Sequence, residues 1–335
     1  MKPVRVLIVG QGLAGTLASH ACLQRGWDVH VVDSGEHCAS SVAAGMYNPM
    51  SFRRIVEVWD ARLHLDAMLA TYADFESILH DTFLHPLPIQ KRIPNQEYAA
   101  LWNSKCDQIP WIEPVSKLTT GAQIGPVKGG GWVNLPKLLV SWRQHLTSLG
   151  RFSRQKWTPA DNDANWDAVV HCRGVHERFS PQLETLDIRA NRGEILTIGT
   201  KGHTIADDLI DNFGKWTLPM APGQWRLGAS YEWNRTDLDP TAETRAFLLE
   251  RLQQAHTTDV RVDVTAHDAG LRPVSKDRRP AVGPRPSRDG HFVFNGLGTR
   301  GVLIGPRWAQ HLADGMAGVN HWDPQVDPAR LQMTD

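Results

Sequence analysis

Alternating apolar and polar stretches divide the chain into short strands and amphipathic helices. Residues 4–9 form a largely apolar run that breaks into Gly10-x-Gly12-x-x-Gly15 and then into a helical pattern. A second apolar run over 29–32 ends on Asp33. Strand, glycine turn, helix, strand and acid in that order are the layout of a dinucleotide-binding βαβ unit. A loop of small residues over 40–46 follows and leads to Asn48-Pro49. From about 55 to 79, Val58, Leu63, Leu65, Met68, Leu69 and Tyr72 supply an apolar stripe that predicts one long helix. Short strands and a short helix are expected over 84–125, around Pro86, Pro88 and Pro94, and a helix over 135–149 after Gly129-Gly130-Gly131. The β-run 168–171 ends in Gly174. Strand patterns follow at 192–198 and 216–230, the second turning near Pro222-Gly223, with a helix from about 241 to 254. The last third alternates strand and turn at 262–266, 280–282 and 291–295. It closes on Gly296-Leu297-Gly298-Thr299-Arg300-Gly301 and an apolar helix ending near Met316.

The chain therefore opens and closes with strand–glycine loop–helix units, while its middle is rich in antiparallel-looking strands. This pattern predicts an α/β protein: a Rossmann-like FAD/NAD(P)-binding domain, interrupted by an α+β substrate domain built on a mainly antiparallel sheet. The expected division assigns 1–50, 130–180 and 268–335 to the nucleotide domain, and 51–129 and 181–267 to the substrate domain.

Each glycine of the first turn has its own physical task. Gly10 makes the tight turn, Gly12 lets the backbone approach a pyrophosphate, and Gly15 lets the helix pack close to the strand. Leu13 and Ala14 begin the helix, whose free N–H groups and dipole favour the negative pyrophosphate. Asp33, followed by Ser34, is placed to accept hydrogen bonds from a ribose hydroxyl pair. This unit alone leaves the choice between NAD and FAD open.

Composition narrows the partners. Of 335 residues, 36 are Lys or Arg and 36 Asp or Glu, so the net charge is zero and nothing recommends nucleic acid or an anionic membrane. Cys22, Cys38, Cys106 and Cys172 are scattered without a CxxC pair, which fits reduced, mostly buried thiols in a cytoplasmic protein better than a zinc site or disulfide framework. No metal is expected. The first strand begins at residue 4, which leaves no room for a signal peptide, and no run is long enough to cross a bilayer. Most of the thirteen tryptophans fit core packing, though some suit the wall of a ligand cavity. Oligomeric state has no signature here.

Four further segments resemble the D-amino-acid oxidase superfamily of FAD enzymes, which includes glycine oxidase and sarcosine oxidase. Val42-Ala43-Ala44-Gly45-Met46 is similar to the small-residue loop beside the flavin, and Asn191-Arg192-Gly193-Glu194-Ile195-Leu196 to the (K/R)GE strand entering the substrate domain. The segment from Gly270-Leu271-Arg272-Pro273 to Pro280-Ala281-Val282-Gly283 is similar to the family's GLRP…D…P.(I/V)G signature. The loop Gly296 to Gly301 resembles the last flavin-contacting loop, in the form it takes in the oxidase domain of the tRNA methylaminomethyl-thiouridine enzyme.

The resemblance implies FAD as cofactor, held by the N-terminal unit together with Ala43, Ala44, Gly45, Met46, Gly174, Gly298, Thr299, Arg300, Gly301 and Val302. A helix starting after a glycine loop also suits the charge that builds at a flavin's N1–C2=O edge. Covalently flavinylated relatives use a histidine before the AAG loop or a cysteine near the C-terminal loop. Val42 holds the first place and no cysteine follows Cys172, so non-covalent FAD is implied.

Arg272 is the residue the resemblance assigns to a substrate carboxylate, a task to which a bidentate guanidinium is suited. Trp216 stands where glycine oxidase places an active-site tyrosine, which implies a differently shaped pocket and makes glycine itself a doubtful substrate. Tyr231, expected just inside a strand after Gly228-Ala229, is a further pocket candidate. Asp277 is expected to fix the turn of its own motif, and Lys276, Arg278 and Arg279 to form a solvated basic run. Arg173 replaces a small residue at the end of the third nucleotide-domain strand. The implied activity is FAD-dependent oxidation of the C–N bond of a small amine or amino acid. Two alternatives stand beside it: trimming of a carboxymethylaminomethyl group on tRNA, and a non-catalytic flavin-binding protein.

Overall fold

The computed structural model describes residues 4–158, 165–179, 186–200, 205–256, 260–286 and 288–332. Its nucleotide-binding half is a six-stranded sheet in the order Phe152–Arg154, Asp28–Asp33, Arg5–Val9, Ala168–His171, His291–Asn295, Ala281–Pro284. All neighbours run parallel except the last pair. The interior strands are covered on both faces, which is why they read as continuous apolar runs rather than alternating ones. Val6, Ile8, Val31, Val170 and Phe294 are fully or almost fully buried against the helices Leu13–Gln24 and Gly301–Met316. Those two helices approach closely because Gly305 has no side chain: an added Cβ would lie 2.6 Å from Leu17 Cδ1.

A second sheet has eight strands, in the order Val262–Ser275, Ile188–Thr200, Gln224–Gly228, Trp216–Ala221, Ile210–Asn212, Ile89–Arg92, Gln123–Val127, Ser116–Lys117. Every pairing is antiparallel except Ile210–Asn212 with Ile89–Arg92. The strand expected over 262–266 is a single fourteen-residue strand, Val262–Ser275, and so crosses residue 268 without a break. It pairs with Ile188–Thr200 along its length, placing Arg272 opposite Asn191.

The long helix begins later than its apolar stripe predicts. It spans Ala61–Leu79, because Val56–Glu57 pairs with Met50–Ser51 as a small hairpin and Ile55 and Asp60 adopt positive φ, at 48° and 46°. Ile55 is buried inside that hairpin. The helices expected over 135–149 and 241–254 are Leu135–Ser148 and Ala242–Ala255, each capped by the side chain before it, Asn134 and Thr241. Cys22 and Cys172 are buried thiols; Cys38 and Cys106 are half-buried. No helix among the described residues is long and apolar enough to cross a membrane.

One core histidine gives the fold an acid sensitivity. His64 is fully buried, with its ring 5.3 Å from that of Trp59 and 6.2 Å from that of Trp308. Neither ring nitrogen has a hydrogen-bond partner among the described residues. Burial, reinforced by Arg307 and Arg279 and opposed by Asp60, pushes its pKa from 6.5 down to about 4. Between those values the unfolded chain takes up a proton that the folded chain refuses, so stability falls as the pH drops through that window. His64→Phe is expected to flatten this acid limb of a melting temperature–pH profile. An unchanged slope would show that other groups set it.

Candidate active site

The Gly10–Gly12 turn is held from below by Asp33. Its Oδ2 accepts from the Gln11 amide at 2.6 Å and its Oδ1 from the Gly35 amide at 2.8 Å. The acid thus shapes the turn, and each oxygen keeps a lone pair for a ribose hydroxyl. Gly12 caps the Leu13–Gln24 helix, and the Leu13 amide donates to Ser40 Oγ at 3.0 Å. The other amides of the first turn have no intrahelical acceptor and are free to face an anion. Gly15 stands apart from the cavity: an added Cβ there would collide with the carbonyl oxygen of Gly10.

One elongated cavity of about 490 Å³ runs from this turn to the eight-stranded sheet. Apart from Gly15, every residue proposed from the sequence to hold the cofactor or the substrate lines it. Gly10, Gly12, Leu13, Ala14, Asp33, Ser34 and Gly174 form one end. Ala43, Ala44, Gly45 and Met46 cross its middle, with Gly298, Thr299, Arg300, Gly301 and Val302 at the start of the Gly301–Met316 helix. Trp216, Tyr231 and Arg272 stand on the eight-stranded sheet side. Gly45 has φ +72°, and its Cα hydrogen faces the Val133 carbonyl so closely that a Cβ would overlap it.

The Arg-Gly-Glu strand uses both of its faces. Arg192 and Glu194 point to one side, fully buried, and pair at 2.5 Å. Glu194 also meets His267 Nε2 at 2.6 Å and accepts from the Thr241 amide at 3.0 Å. The hydrogen bonds from Thr241 and Arg192, with the charges of Arg192 and His267, hold its carboxyl below the usual range against the opposing effect of burial. Gly193 points to the other side, into the cavity, where the Arg272 guanidinium lies across it; any Cβ at Gly193 would overlap that group. The glycine of this motif is thus the space through which Arg272 reaches the site.

Arg272 is half-buried and pairs with no carboxylate among the described residues. Its Nη1 donates to Asn191 Oδ1 at 2.9 Å and makes longer contacts with the Ser230 and Arg192 carbonyls, at 3.3 and 3.5 Å. Its guanidinium lies 4.7 Å from the centre of the Tyr231 ring. Burial pushes its pKa down, with only Tyr231 opposing. Tyr231 lies beyond the Gln224–Gly228 strand rather than within it, and is exposed at the cavity mouth. Trp216 packs its indole over Gly228, where a Cβ would lie 2.8 Å from Cζ2.

Two cations stand near this end: Arg300, already expected from the sequence among the FAD-holding residues, and Lys215, which has no sequence signal of its own. Arg300 donates to the Asn48 carbonyl at 3.3 Å and to that of Met50 at 3.2 Å, tying the loop after Gly45 to the C-terminal loop, and its pKa is lowered by burial. Lys215 donates to the Ala229 carbonyl at 2.8 Å and lies 5.7 Å from the Tyr231 ring. Burial lowers its pKa, and Arg251 and Arg272 add to the effect. The carboxylates on the cavity wall, Asp33 and Glu36, belong to the opposite end. Asp277 fixes its turn as expected, accepting from Ser275 Oγ at 2.9 Å and the Arg279 amide at 3.0 Å. Lys276 and Arg278 are exposed, whereas Arg279 leaves the expected solvated run and stacks 3.4 Å from the centre of the Trp59 ring.

A family model described as FAD dependent oxidoreductase (DAO) matches residues 5–315. The chain belongs to the DAO family of FAD-dependent oxidoreductases. Glycine oxidases of Pseudomonas putida and Pseudomonas aeruginosa are 29% and 25% identical to it, each over 97% of both chains. The tRNA 5-methylaminomethyl-2-thiouridine biosynthesis bifunctional protein MnmC of Saccharophagus degradans is 22% identical over 94% of the chain, which spans 53% of that protein. Among solved structures, iminodiacetate oxidase from Chelativorans sp. BNC1 superposes with a TM-score of 0.80 at 17% identity, covering 97% of this chain and 99% of that one. Glycine oxidase from Geobacillus kaustophilus gives 0.76 at 21%, covering 99% of each. These superpositions establish the DAO fold.

The cavity suits the family's cofactor on physical grounds. Two helix N-termini, at Leu13 and Gly301, open onto it, and an added Cβ on Gly301 would lie 3.1 Å from Leu13 Cδ2. Gly12 and Gly174 present bare backbone to it: a Cβ on Gly12 would find its nearest neighbour, Ser40 Oγ, at 3.5 Å, and one on Gly174 nothing within 4 Å. FAD has an anionic diphosphate for the first terminus and a flavin edge that gains negative charge for the second.

Proposed function

We propose that this DAO-family protein oxidises the C–N bond of an amino acid or N-substituted glycine, with Arg272 holding the substrate carboxylate. The observation that carries the reading is the Arg272 guanidinium in the cavity wall. It has Nη1 engaged and no carboxylate facing it among the described residues. A cation withdrawn from water without a counter-charge is costly, and a carboxylate-bearing ligand removes that cost.

The residues that would hold FAD are those of the Gly10–Ala14 turn, Asp33, the 43–46 loop and the 298–302 loop. Bound there, FAD would supply the two-electron oxidation of the C–N bond, and water would hydrolyse the imine product. Arg272 binds the carboxylate and fixes which C–H faces the cofactor. Trp216 bounds the pocket with an apolar plate, which excludes water and limits the substituent on nitrogen. The positive field of Arg272, Arg300 and Lys215 disfavours a protonated amine, so the substrate reaches its reactive neutral form without a dedicated base.

The test is an anaerobic screen of amino acids and N-alkyl glycines, reading bleaching of the flavin absorption. A carboxylate-bearing amine is expected to bleach it, and its amide or decarboxylated analogue to do so far more weakly. Equal rates with and without the carboxylate would remove Arg272 from this role. Gly193→Ala supplies a second check, since its Cβ displaces the guanidinium. That variant is expected to keep FAD and to raise KM by about tenfold or more. An unchanged KM would show that the arginine is not a substrate contact.

A second reading is favoured by the match to bifunctional tRNA-modifying proteins over most of this chain. Carboxymethylaminomethyl-modified tRNA in the same anaerobic assay separates the two.

A further inference from the structure

Arg173 follows the Ala168–His171 strand and lies beside the phosphate turn: its Cα is 3.6 Å from where a Cβ of Gly10 would stand. Its guanidinium sits 5.7 Å from the centre of the Trp157 ring, and both residues line the cavity at the Gly10 end. Two donors in this wall are buried without an acceptor among the described residues, Arg173 Nη1 and Trp157 Nε1. The nearby acids, Glu177 and Glu36, attract Arg173 but form no ion pair with it among the described residues, and Glu177 keeps its buried Oε2 without a hydrogen-bond partner. Glu177 pairs through Oε1 with Arg285 at 2.5 Å, and Glu36 lies 3.7 Å from His176 and 3.8 Å from Lys156. The half-buried guanidinium keeps Nη1 without an acceptor, and a ligand anion at the adjoining turn would supply one.

We propose that Arg173 is a cofactor-binding residue whose guanidinium donates to the diphosphate of FAD, adding a side-chain charge to the helix N-terminus at Gly12. Trp157 holds the guanidinium plane in place from one side. Its neighbour Gly174, at φ +57° with open space where a Cβ would be, lets the chain turn away without obstructing the ligand. The assignment rests on FAD being the cofactor and is independent of the amine proposed above.

Apo-protein of the wild type, Arg173→Met and Arg173→Gln is titrated with FAD by flavin fluorescence, and with ADP and adenosine as competitors. Both variants are expected to bind FAD and ADP about tenfold or more weakly while adenosine changes less than about twofold. The loss should shrink at high salt, where the wild-type attraction is screened. Wild-type affinity for FAD and ADP in the variants, with a lowered melting temperature of the apo-protein, would overturn the proposal and make Arg173 a partner of Glu177. Equal weakening of ADP and adenosine would also overturn it, placing Arg173 against the adenine ring. If Arg173→Met does not fold, Arg173→Gln, which keeps a polar side chain of smaller volume, decides by the same ADP-to-adenosine comparison. A wild type that binds no FAD would instead overturn the cofactor itself, so the two failures are distinct.

Discussion

Arg272→Ala yields a yellow protein whose flavin its amine substrate barely bleaches. The guanidinium is anchored to Asn191, Ser230 and the Arg192 carbonyl, all on the eight-stranded sheet or its edge, and far along the chain from the Gly10 turn. Its removal therefore leaves the phosphate and flavin loops intact, and FAD affinity is expected to hold. The substrate carboxylate loses a charge-assisted partner in a partly dry site. Truncating one member of such a pair costs about 2–5 kcal/mol, or roughly 30- to 5,000-fold in kcat/KM. Arg272→Lys keeps the charge but loses the planar fork, and should fall between the two. Stopped-flow reduction under anaerobic conditions reads the effect directly. Reduction of Arg272→Ala at the wild-type rate would sink the carboxylate assignment, and with it the chief support for an amino-acid substrate.

Gly15→Ala and Gly12→Ala should fail in different ways. At Gly15 a Cβ overlaps the Gly10 carbonyl oxygen, which belongs to the backbone and has little room to yield. The helix must move off the Arg5–Val9 strand, opening the core around Ile8 and Leu17. Overpacking of this kind costs about 3 kcal/mol or more, so the melting temperature of the apo-protein falls along with FAD affinity. Gly12 has φ −77°, which alanine tolerates, and the nearest protein atom to an added Cβ is 3.5 Å away. Its methyl group points into ligand space, so the apo-protein should melt as the wild type does while FAD binding is lost. Differential scanning fluorimetry with and without FAD separates the two. Equal melting of both apo variants would show that Gly15 does not set the helix–strand distance.

Much of the site was legible because its signals are local. The Gly10–Gly15 turn, the loop of Ala43 to Met46 and the Gly296–Gly301 loop each announce a backbone shape within a few residues, and all three reach the cavity. Asp33 was also legible as an acid at the strand end, although its first task proves to be holding the Gln11 amide. The start of the long helix was not. The apolar spacing from Val58 onward fits a helix, yet pairing of Val56–Glu57 with Met50–Ser51 removes the residues before Ala61 from it. Tyr231 follows the strand-like pattern over 216–230, which extends the expected strand as far as it. Instead the Gln224–Gly228 strand ends before it, and its ring faces the Arg272 guanidinium.

The sequence alone determined the nucleotide-binding unit, which is written in residue types at fixed short spacing because tight turns and helix starts are governed by backbone sterics over a few positions. The family, and Arg272 as a candidate carboxylate contact, came from the resemblance of four further segments to known FAD enzymes. Only the tertiary structure decided what those residues have around them. Arg272 and its anchor Asn191 are 81 residues apart, and the Gly193 that makes room for it sits on the neighbouring strand. The same is true of Arg300 on the loop after Gly45, and of Arg173 against Trp157. Whether a buried cation has a protein partner or awaits a ligand depends on long-range packing, and no local pattern carries that information.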